Sequence, residues 1–75
     1  MTLREVLAKN MRRLRQEQEL SQEALADAAG IDRTYVSALE RCVYAATVDM
    51  LEKLAEVFGV DPTELLKRGR RSSGA

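Results

Sequence analysis

Signals that start and stop helices recur along this chain, and they restrict it to short helices. Residues of the type that caps a helix N-terminus precede apolar residues at helical spacing at four positions, Ser21, Asp32, Thr47 and Asp61. Glycines, which take the left-handed conformation at a helix end without steric cost, follow two of these segments, at Gly30 and Gly59. No segment alternates as a strand does. We therefore predict an all-α fold with five short helices in one bundle.

The first and last helices have the clearest limits. Apolar residues recur at helical spacing from Leu3 to about Glu17, which predicts the first helix. Near the other end of the chain, Pro62 follows the capping residue Asp61 at the first helical position. Glu64 then completes the spacing of a capping box, so we predict a fifth helix that begins here.

The length of the chain allows one domain. Seventy-five residues leave room for a single hydrophobic core. We place the end of the fifth helix at Gly69 and take residues 1–69 as the domain. Residues 70–75 contain no large apolar side chain, so we expect a disordered basic tail there. No apolar run approaches the ~18 residues that a membrane span needs.

The composition excludes several kinds of catalytic and metal site. The chain has no histidine and one cysteine, Cys42, so it cannot form a histidine-based triad or a zinc site with several Cys and His ligands. Without a neighbouring base, Cys42 is expected to be a small, partly buried thiol and not a nucleophile. We expect a protein of the reducing cytoplasm that is not an enzyme and needs no cofactor.

The segment from Gln22 to Arg41 carries the functional signal. Its two predicted helices are joined by a turn of about three residues, which is the spacing of a helix-turn-helix. At about 100° per residue, Arg33, Ser37 and Arg41 fall on one outward stripe of the second of these helices, with Thr34 beside it. A stripe of short, polar and cationic side chains suits a helix that enters the major groove of DNA.

The sequence resembles the lambda-repressor-like helix-turn-helix family, of the Xre and Cro type, over residues 12–66. The resemblance rests on five motifs, LSQEALADAAGI at residues 20–31, YVS at 35–37, LER at 39–41, LEKLA at 51–55 and FGV at 58–60. It implies a five-helix DNA-binding domain that regulates transcription. It also implies a homodimer on a pseudo-palindromic operator, with the third helix in the major groove, and hence association with the nucleoid.

The resemblance also implies roles for individual residues. Arg33, Thr34 and Ser37 occupy the positions that usually contact base edges, and an arginine there can bind guanine through two hydrogen bonds. Gln22 would bind a phosphate and brace the first residue of the third helix. The other candidates for contact with the DNA backbone are Arg12, Arg41, Lys9, Arg13 and Tyr44.

Two further positions have implied structural roles. In the family, an arginine late in the first helix pairs with a glutamate late in the third, which implies a structural ion pair between Arg15 and Glu40. The chain departs from the family at residues 42–46, CVYAA, where glycine and basic residues are common. Because Cys42 replaces a glycine that would tolerate positive φ, we expect this helix end to be built differently. Tyr44 is the residue left in this loop to donate a hydrogen bond to phosphate.

The charge pattern bears on the partners. Equal numbers of basic and acidic residues give zero net charge, although residues 1–15 carry five basic residues and one acidic one. We therefore expect weak non-specific affinity for DNA, with base contacts and dimerisation supplying the rest. Val43 in the loop and Leu66 in the fifth helix are candidates for the dimer interface. A polymerase or a toxin is the expected kind of protein partner, if there is one.

A second interpretation remains open from the sequence. The chain could be a protein-interaction module of the same fold, such as an antitoxin-like partner of a toxin, that has lost the ability to recognise bases. The uncharged loop at residues 42–46 and the zero net charge favour this interpretation. The face formed by Arg33, Thr34 and Ser37 favours DNA binding, and substitution of Arg33 would discriminate between the two.

Overall fold

The computed structural model describes residues 1–68 and consists of helices joined by short turns. The elements in chain order are α1 (Leu3–Glu17), α2 (Gln22–Ala29), α3 (Arg33–Glu40), α4 (Val48–Phe58) and a 3-10 helix (Pro62–Leu66). Residues 1–68 contain no strand, which confirms the all-α prediction. The prediction of five α-helices was wrong in its last member, which is a 3-10 helix of five residues.

Side-chain oxygens cap the start of each helix. The capping residues, each of which accepts a hydrogen bond from a backbone N–H of the following turn, are Thr2, Ser21, Asp32, Thr47 and Asp61. The last four were predicted from the sequence. Thr2 and Glu5 form a reciprocal capping box at α1, since the Glu5 N–H donates to the Thr2 hydroxyl and the Thr2 N–H donates to the Glu5 carboxylate.

The capping box predicted at Asp61 and Glu64 does not form. Asp61 Oδ1 instead accepts from the N–H and the hydroxyl of Thr63, at 2.9 and 2.7 Å, and the Glu64 carboxylate accepts from Lys67 Nζ at 3.1 Å. The segment is a short 3-10 helix, and its carbonyls pair with amides three residues ahead. The predicted end at Gly69 and the tail at residues 70–75 lie outside the described residues.

Each of the four α-helices ends at a residue with a left-handed backbone. This residue is the C-cap itself in α2 and α4, and it is the residue after the C-cap in α1 and α3. The residues with positive φ are Glu19, Gly30, Cys42 and Gly59, with φ of 57°, 72°, 63° and 73°. Our expectation that the end at Cys42 would be built differently was wrong. The Val43 N–H donates to the Ala38 carbonyl at 3.1 Å, just as the Ile31 N–H donates to the Ala26 carbonyl at 2.9 Å. These backbone hydrogen bonds hold Cys42 in a conformation that its side chain disfavours.

The core is aliphatic apart from Phe58. Its buried members, contributed by every helix, are Leu7, Met11, Leu14, Leu25, Ala26, Val36, Leu39, Met50, Leu54, Ala55, Phe58 and Leu65. Ala26 on α2 and Val36 and Leu39 on α3 are almost fully buried, so the inner face of α3 is packed against the core. Because this packing orients α3, its opposite face is directed outward.

Asn10 anchors the 3-10 helix to α1. Its side chain is only 8% exposed, and Nδ2 lies 2.8 Å from the Leu65 carbonyl, 3.1 Å from that of Lys67 and 3.3 Å from that of Glu64. The Glu64 carbonyl also accepts from the Lys67 N–H at 3.4 Å, whereas the Leu65 carbonyl lies at the end of a helix too short to pair it internally. The buried Asn10 amide therefore supplies the partner that the backbone of residues 1–68 does not give to Leu65.

None of the helices in residues 1–68 is both long and apolar enough to cross a membrane. No group of three His, Cys, Asp or Glu side chains in this part of the chain is placed to hold a metal ion.

Candidate nucleic-acid interface

The helix-turn-helix is formed by α2 and α3. α2 ends at Gly30, whose left-handed backbone reverses the chain, and α3 begins three residues later at Arg33. Arg33 and Thr34 are exposed, and Ser37 is partly exposed one turn further on. The three residues predicted to contact bases therefore share the outward, N-terminal part of α3.

The start of α3 is held by its own cap. Asp32 Oδ1 accepts from the Thr34 N–H at 2.9 Å and from the Thr34 hydroxyl at 2.8 Å. These bonds lower the pKa of Asp32, with the backbone N–H as the larger cause, followed by the hydroxyl. Arg33 between them forms no side-chain hydrogen bond or ion pair within residues 1–68, so its guanidinium group is available to a ligand.

In the middle of the outward face, Ser37 is hydrogen-bonded to Arg41. Arg41 Nε donates to Ser37 Oγ at 3.3 Å, a spacing of one helical turn. Because this bond uses a lone pair of the hydroxyl, Ser37 retains its hydrogen for donation. Arg41 is exposed at the far end of the face, where the remaining guanidinium N–H groups can reach a phosphate.

The C-terminal end of α3 is fixed by a buried carboxylate. Glu40 is 5% exposed, and its two oxygens accept from Arg15 Nε at 2.6 Å and Arg15 Nη2 at 2.9 Å. Gln22 Nε2 donates to the same carboxylate at 3.1 Å. The hydrogen bond to Glu40 raises the pKa of Arg15, against a smaller lowering by desolvation and with further Coulombic attraction to Glu40. α1, α2 and α3 thus meet at one ion pair.

Arg12 and Gln22 have structural partners that the sequence did not reveal. Arg12 Nη1 donates to the Glu40 carbonyl at 2.7 Å, which pairs a carbonyl at the end of α3. Gln22 was expected to brace the first residue of α3, but its amide contacts Glu40, the last. The reason is geometric, since Gln22 begins α2 beside the Arg15–Glu40 pair. Arg12 and Arg15 are three residues apart on α1, a spacing that places both on one helix face.

Lys9 and Arg13, unlike Arg12, lie next to the 3-10 helix. Both line a cleft between α1 and the 3-10 helix, together with Glu64 and Lys67. Arg13 also forms an ion pair of 3.2 Å with Glu17 on the exposed surface of α1. Neither Lys9 nor Arg13 forms a side-chain hydrogen bond or ion pair with α3 in residues 1–68, whereas Arg12 bonds to the carbonyl of Glu40 at the C-terminal end of α3.

Tyr44 extends the site on the loop after α3. Its ring packs edge-on against that of Tyr35, with 4.9 Å between centroids and an interplanar angle of 71°. Val43 and Val48, which flank Tyr44 in sequence, are 60% and 75% exposed, and Tyr44 itself is 55% exposed. Leu66, the other candidate for the dimer interface, packs partly against the core.

Comparisons with known proteins agree with this geometry. The family model described as Helix-turn-helix, HTH_3, matches residues 11–65. A hypothetical transcription factor from Neisseria meningitidis is 48% identical over 64 residues, which are 85% of this chain and 60% of that protein. Control protein C.SmaI from Serratia marcescens is 38% identical over 68 residues, covering 91% of this chain and 81% of its own.

A solved structure extends the comparison to three dimensions. The restriction-modification controller protein C.AhdI from Aeromonas hydrophila superposes with a TM-score of 0.80 at 35% identity, over 83% of this chain and 94% of that one. The chain spans less than two thirds of the Neisseria relative but most of the two controller proteins.

Proposed function

Because the chain belongs to the helix-turn-helix family HTH_3, of the Xre and lambda-repressor type of transcriptional regulator and not an enzyme family, we propose that it recognises a specific DNA sequence through α3. The observation that carries this proposal is the chemistry of the outward face. Arg33, Ser37 and Arg41 present cationic and hydroxyl groups there. The only carboxylate within α3, that of Glu40, is buried against Arg15 and does not face a phosphate.

The exposed side chains match the edges of bases in the major groove. The planar guanidinium of Arg33 has no partner in the described chain, and it can donate two parallel hydrogen bonds to O6 and N7 of guanine. Ser37 can donate its hydroxyl hydrogen to a base acceptor. Thr34 lies beside Arg33, at the end of the helix that enters the groove first in this type of protein.

The residues that hold α3 can also contact phosphates. Arg12 uses one guanidinium N–H for the Glu40 carbonyl, and Gln22 uses one of its two amide hydrogens for the Glu40 carboxylate. Each retains further N–H groups for a phosphate oxygen. A phosphate contact at either residue would therefore be coupled directly to the position of α3. Arg41 and Tyr44 are further candidates for contact with the backbone.

The protein is proposed to act as a homodimer on two inverted half-sites. Val43 and Val48 leave two large apolar side chains in water, and a two-fold contact would remove them from it. Two relatives are named as a control protein and a restriction-modification controller protein. We extend this to the chain as a controller-type role, in which occupancy of an operator sets transcription of an adjacent promoter.

Selection of bound sequences from a random duplex library tests recognition. We expect two inverted half-sites about one helical turn (~10 bp) apart. Arg33→Ala removes the contact from both subunits, so it should weaken binding to the selected site by about 30-fold or more and relax the preference at one position of each half-site. Lys53→Ala is the matched control, because Lys53 is an exposed cation in an acidic cleft on α4. Failure to enrich any sequence would favour the protein-interaction module.

Sedimentation equilibrium tests the dimer. The mass should rise from monomer to dimer with concentration, and Val43→Glu should shift this equilibrium toward monomer, because a buried carboxylate without a partner is strongly disfavoured. Gln16→Glu places the same carboxylate at an exposed site on α1, where the Gln16 side chain forms no hydrogen bond within residues 1–68, and it serves as the control. A monomer at every concentration, with and without operator DNA, would refute the dimer.

A further inference from the structure

Thr34 differs from the other polar residues of the outward face in that its hydroxyl hydrogen is already used. Thr34 Oγ1 lies 2.8 Å from Asp32 Oδ1, and a carboxylate with lowered pKa can only accept in this bond. The groups of Thr34 that remain to meet a ligand are its γ-methyl group and the lone pairs of Oγ1. Thr34 therefore cannot donate to a base unless the bond from its hydroxyl to Asp32 breaks.

A second copy of this arrangement shows that it is a local property of the sequence. Asp61 Oδ1 accepts from the N–H and the hydroxyl of Thr63 at 2.9 and 2.7 Å, and the corresponding distances at Asp32 and Thr34 are 2.9 and 2.8 Å. Both pairs have the spacing Asp-x-Thr at a helix start. Because the two copies have different surroundings, the bond at Thr34 depends on its own backbone turn and should persist when DNA binds.

Ser37 has the opposite polarity. Its oxygen accepts from Arg41 Nε, and its hydrogen is not donated to any residue between 1 and 68. Together with Arg33, which is a donor only, Ser37 can satisfy the acceptors that purines present in the major groove. Thr34 is the member of the face that offers an acceptor and a methyl group in place of a donor.

This chemistry selects among base pairs. Guanine presents two acceptors in the major groove, which repel an oxygen that cannot donate, whereas adenine and cytosine both present an amino donor. A lone pair alone therefore does not distinguish an A·T pair from a G·C pair. The thymine 5-methyl group does, because only an A·T pair carries it.

We propose, building on the proposed function above, that Thr34 recognises thymine through contact of its γ-methyl group with the 5-methyl group of the base. The Thr34 hydroxyl donates its hydrogen to Asp32, so this hydrogen cannot be donated to a base. The methyl group is then the part of the side chain that distinguishes one base pair from another. Thr34 is then a specificity-determining residue for one A·T pair in each half-site, next to the guanine expected for Arg33.

Deoxyuridine substitution in the selected operator tests this directly, since it removes the 5-methyl group and leaves base pairing intact. Each thymine of a half-site is replaced in turn, and the dissociation constant is measured by fluorescence anisotropy. One replacement should weaken binding of the unmodified protein by about fourfold, as expected for one buried methyl group. Thr34→Val keeps the methyl group and should show the same loss. Thr34→Ser lacks it and should bind both duplexes equally.

Matched variants at the second Asp-x-Thr pair control for stability. Thr63→Val and Thr63→Ser make the same chemical changes outside α3, so they should leave the deoxyuridine effect unchanged. A selected site at which no thymine responds, or a Thr34→Ser protein that responds as strongly as the unmodified one, would overturn the inference while the proposed function stands. Failure to select any site would overturn both.

Discussion

Removal of the Glu40 carboxylate should strongly destabilise the packing of α1, α2 and α3. Glu40 accepts three side-chain hydrogen bonds, two from Arg15 and one from Gln22. In the Glu40→Ala protein the Arg15 guanidinium, whose side chain is 16% exposed, would keep only its bond to the Leu20 carbonyl. A cation left without its carboxylate in such a site costs about 3–5 kcal/mol.

That loss is large against the stability of a domain of this size. At about 0.05–0.15 kcal/mol per residue, a chain of 75 residues is stable by roughly 4–11 kcal/mol. Urea unfolding followed by circular dichroism should therefore show a midpoint lowered by about a quarter or more for Glu40→Ala. Glu17→Ala is the control, because it breaks the exposed Arg13–Glu17 pair and should cost less than about 0.5 kcal/mol.

A double variant separates the charge from the packing. If the cost of Glu40→Ala comes from the stranded guanidinium, Arg15→Met combined with Glu40→Leu should recover most of the stability, since apolar residues can replace a buried ion pair. The two substitutions would then be non-additive by about 2 kcal/mol. A Glu40→Ala protein within about 1 kcal/mol of the unmodified chain would refute the conclusion that this pair fixes α3.

Three further changes test other parts of the fold. Cys42→Gly should stabilise the protein by about 1 kcal/mol in thermal unfolding, because glycine takes the φ of 63° without strain, whereas Cys42→Ala, which keeps the strain, should not. Asn10→Ala should cost about 1–3 kcal/mol by leaving the buried Leu65 carbonyl without its partner; a loss no greater than that of the exposed control Gln16→Ala would contradict this. The pKa of Asp32 is lowered in the folded state, so its ionised form adds stability above the ordinary value of 3.8 that is lost as the pH falls through the lowered pKa. Thermal melts should therefore show an advantage over Asp32→Asn at neutral pH that disappears in acid, and an advantage independent of pH would count against the cap.

The helix limits were predictable because local signals determine them. Ser21, Asp32 and Thr47 cap helices through bonds to amides two or three residues ahead, and such bonds depend only on neighbouring residues. The same locality explains the error at Cys42. The identity of the side chain suggested a different helix end, but the backbone hydrogen bond from Val43 to Ala38 imposes the conformation and outweighs a strain of about 1–2 kcal/mol.

Long-range contacts were beyond the reach of such signals unless a family resemblance supplied them. The pairing of Arg15 with Glu40 was inferred from the family alone. No pattern indicated that Asn10 would hold the 3-10 helix, because its partners are backbone carbonyls 54 to 57 residues away. The sequence also did not show which group the Glu64 carboxylate would bind. The backbone N–H of Asp61 and the ammonium group of Lys67 are each three residues away, and the structure shows the bond to Lys67.

The two ends of α3 are held by different chemistry, and this division bears on how the protein would bind DNA. At the C-terminal end, Arg15 is bound to Glu40 and Arg12 is partly engaged by the carbonyl of the same residue. These cations stabilise the fold and are less available for sequence-independent contact with phosphates, which agrees with a net charge of zero. At the N-terminal end, the cap uses only short side chains and leaves Arg33 unengaged. Under the proposed function, affinity then depends on base contacts at that end and on pairing of two subunits, so a change at Arg33 should affect specificity and affinity together.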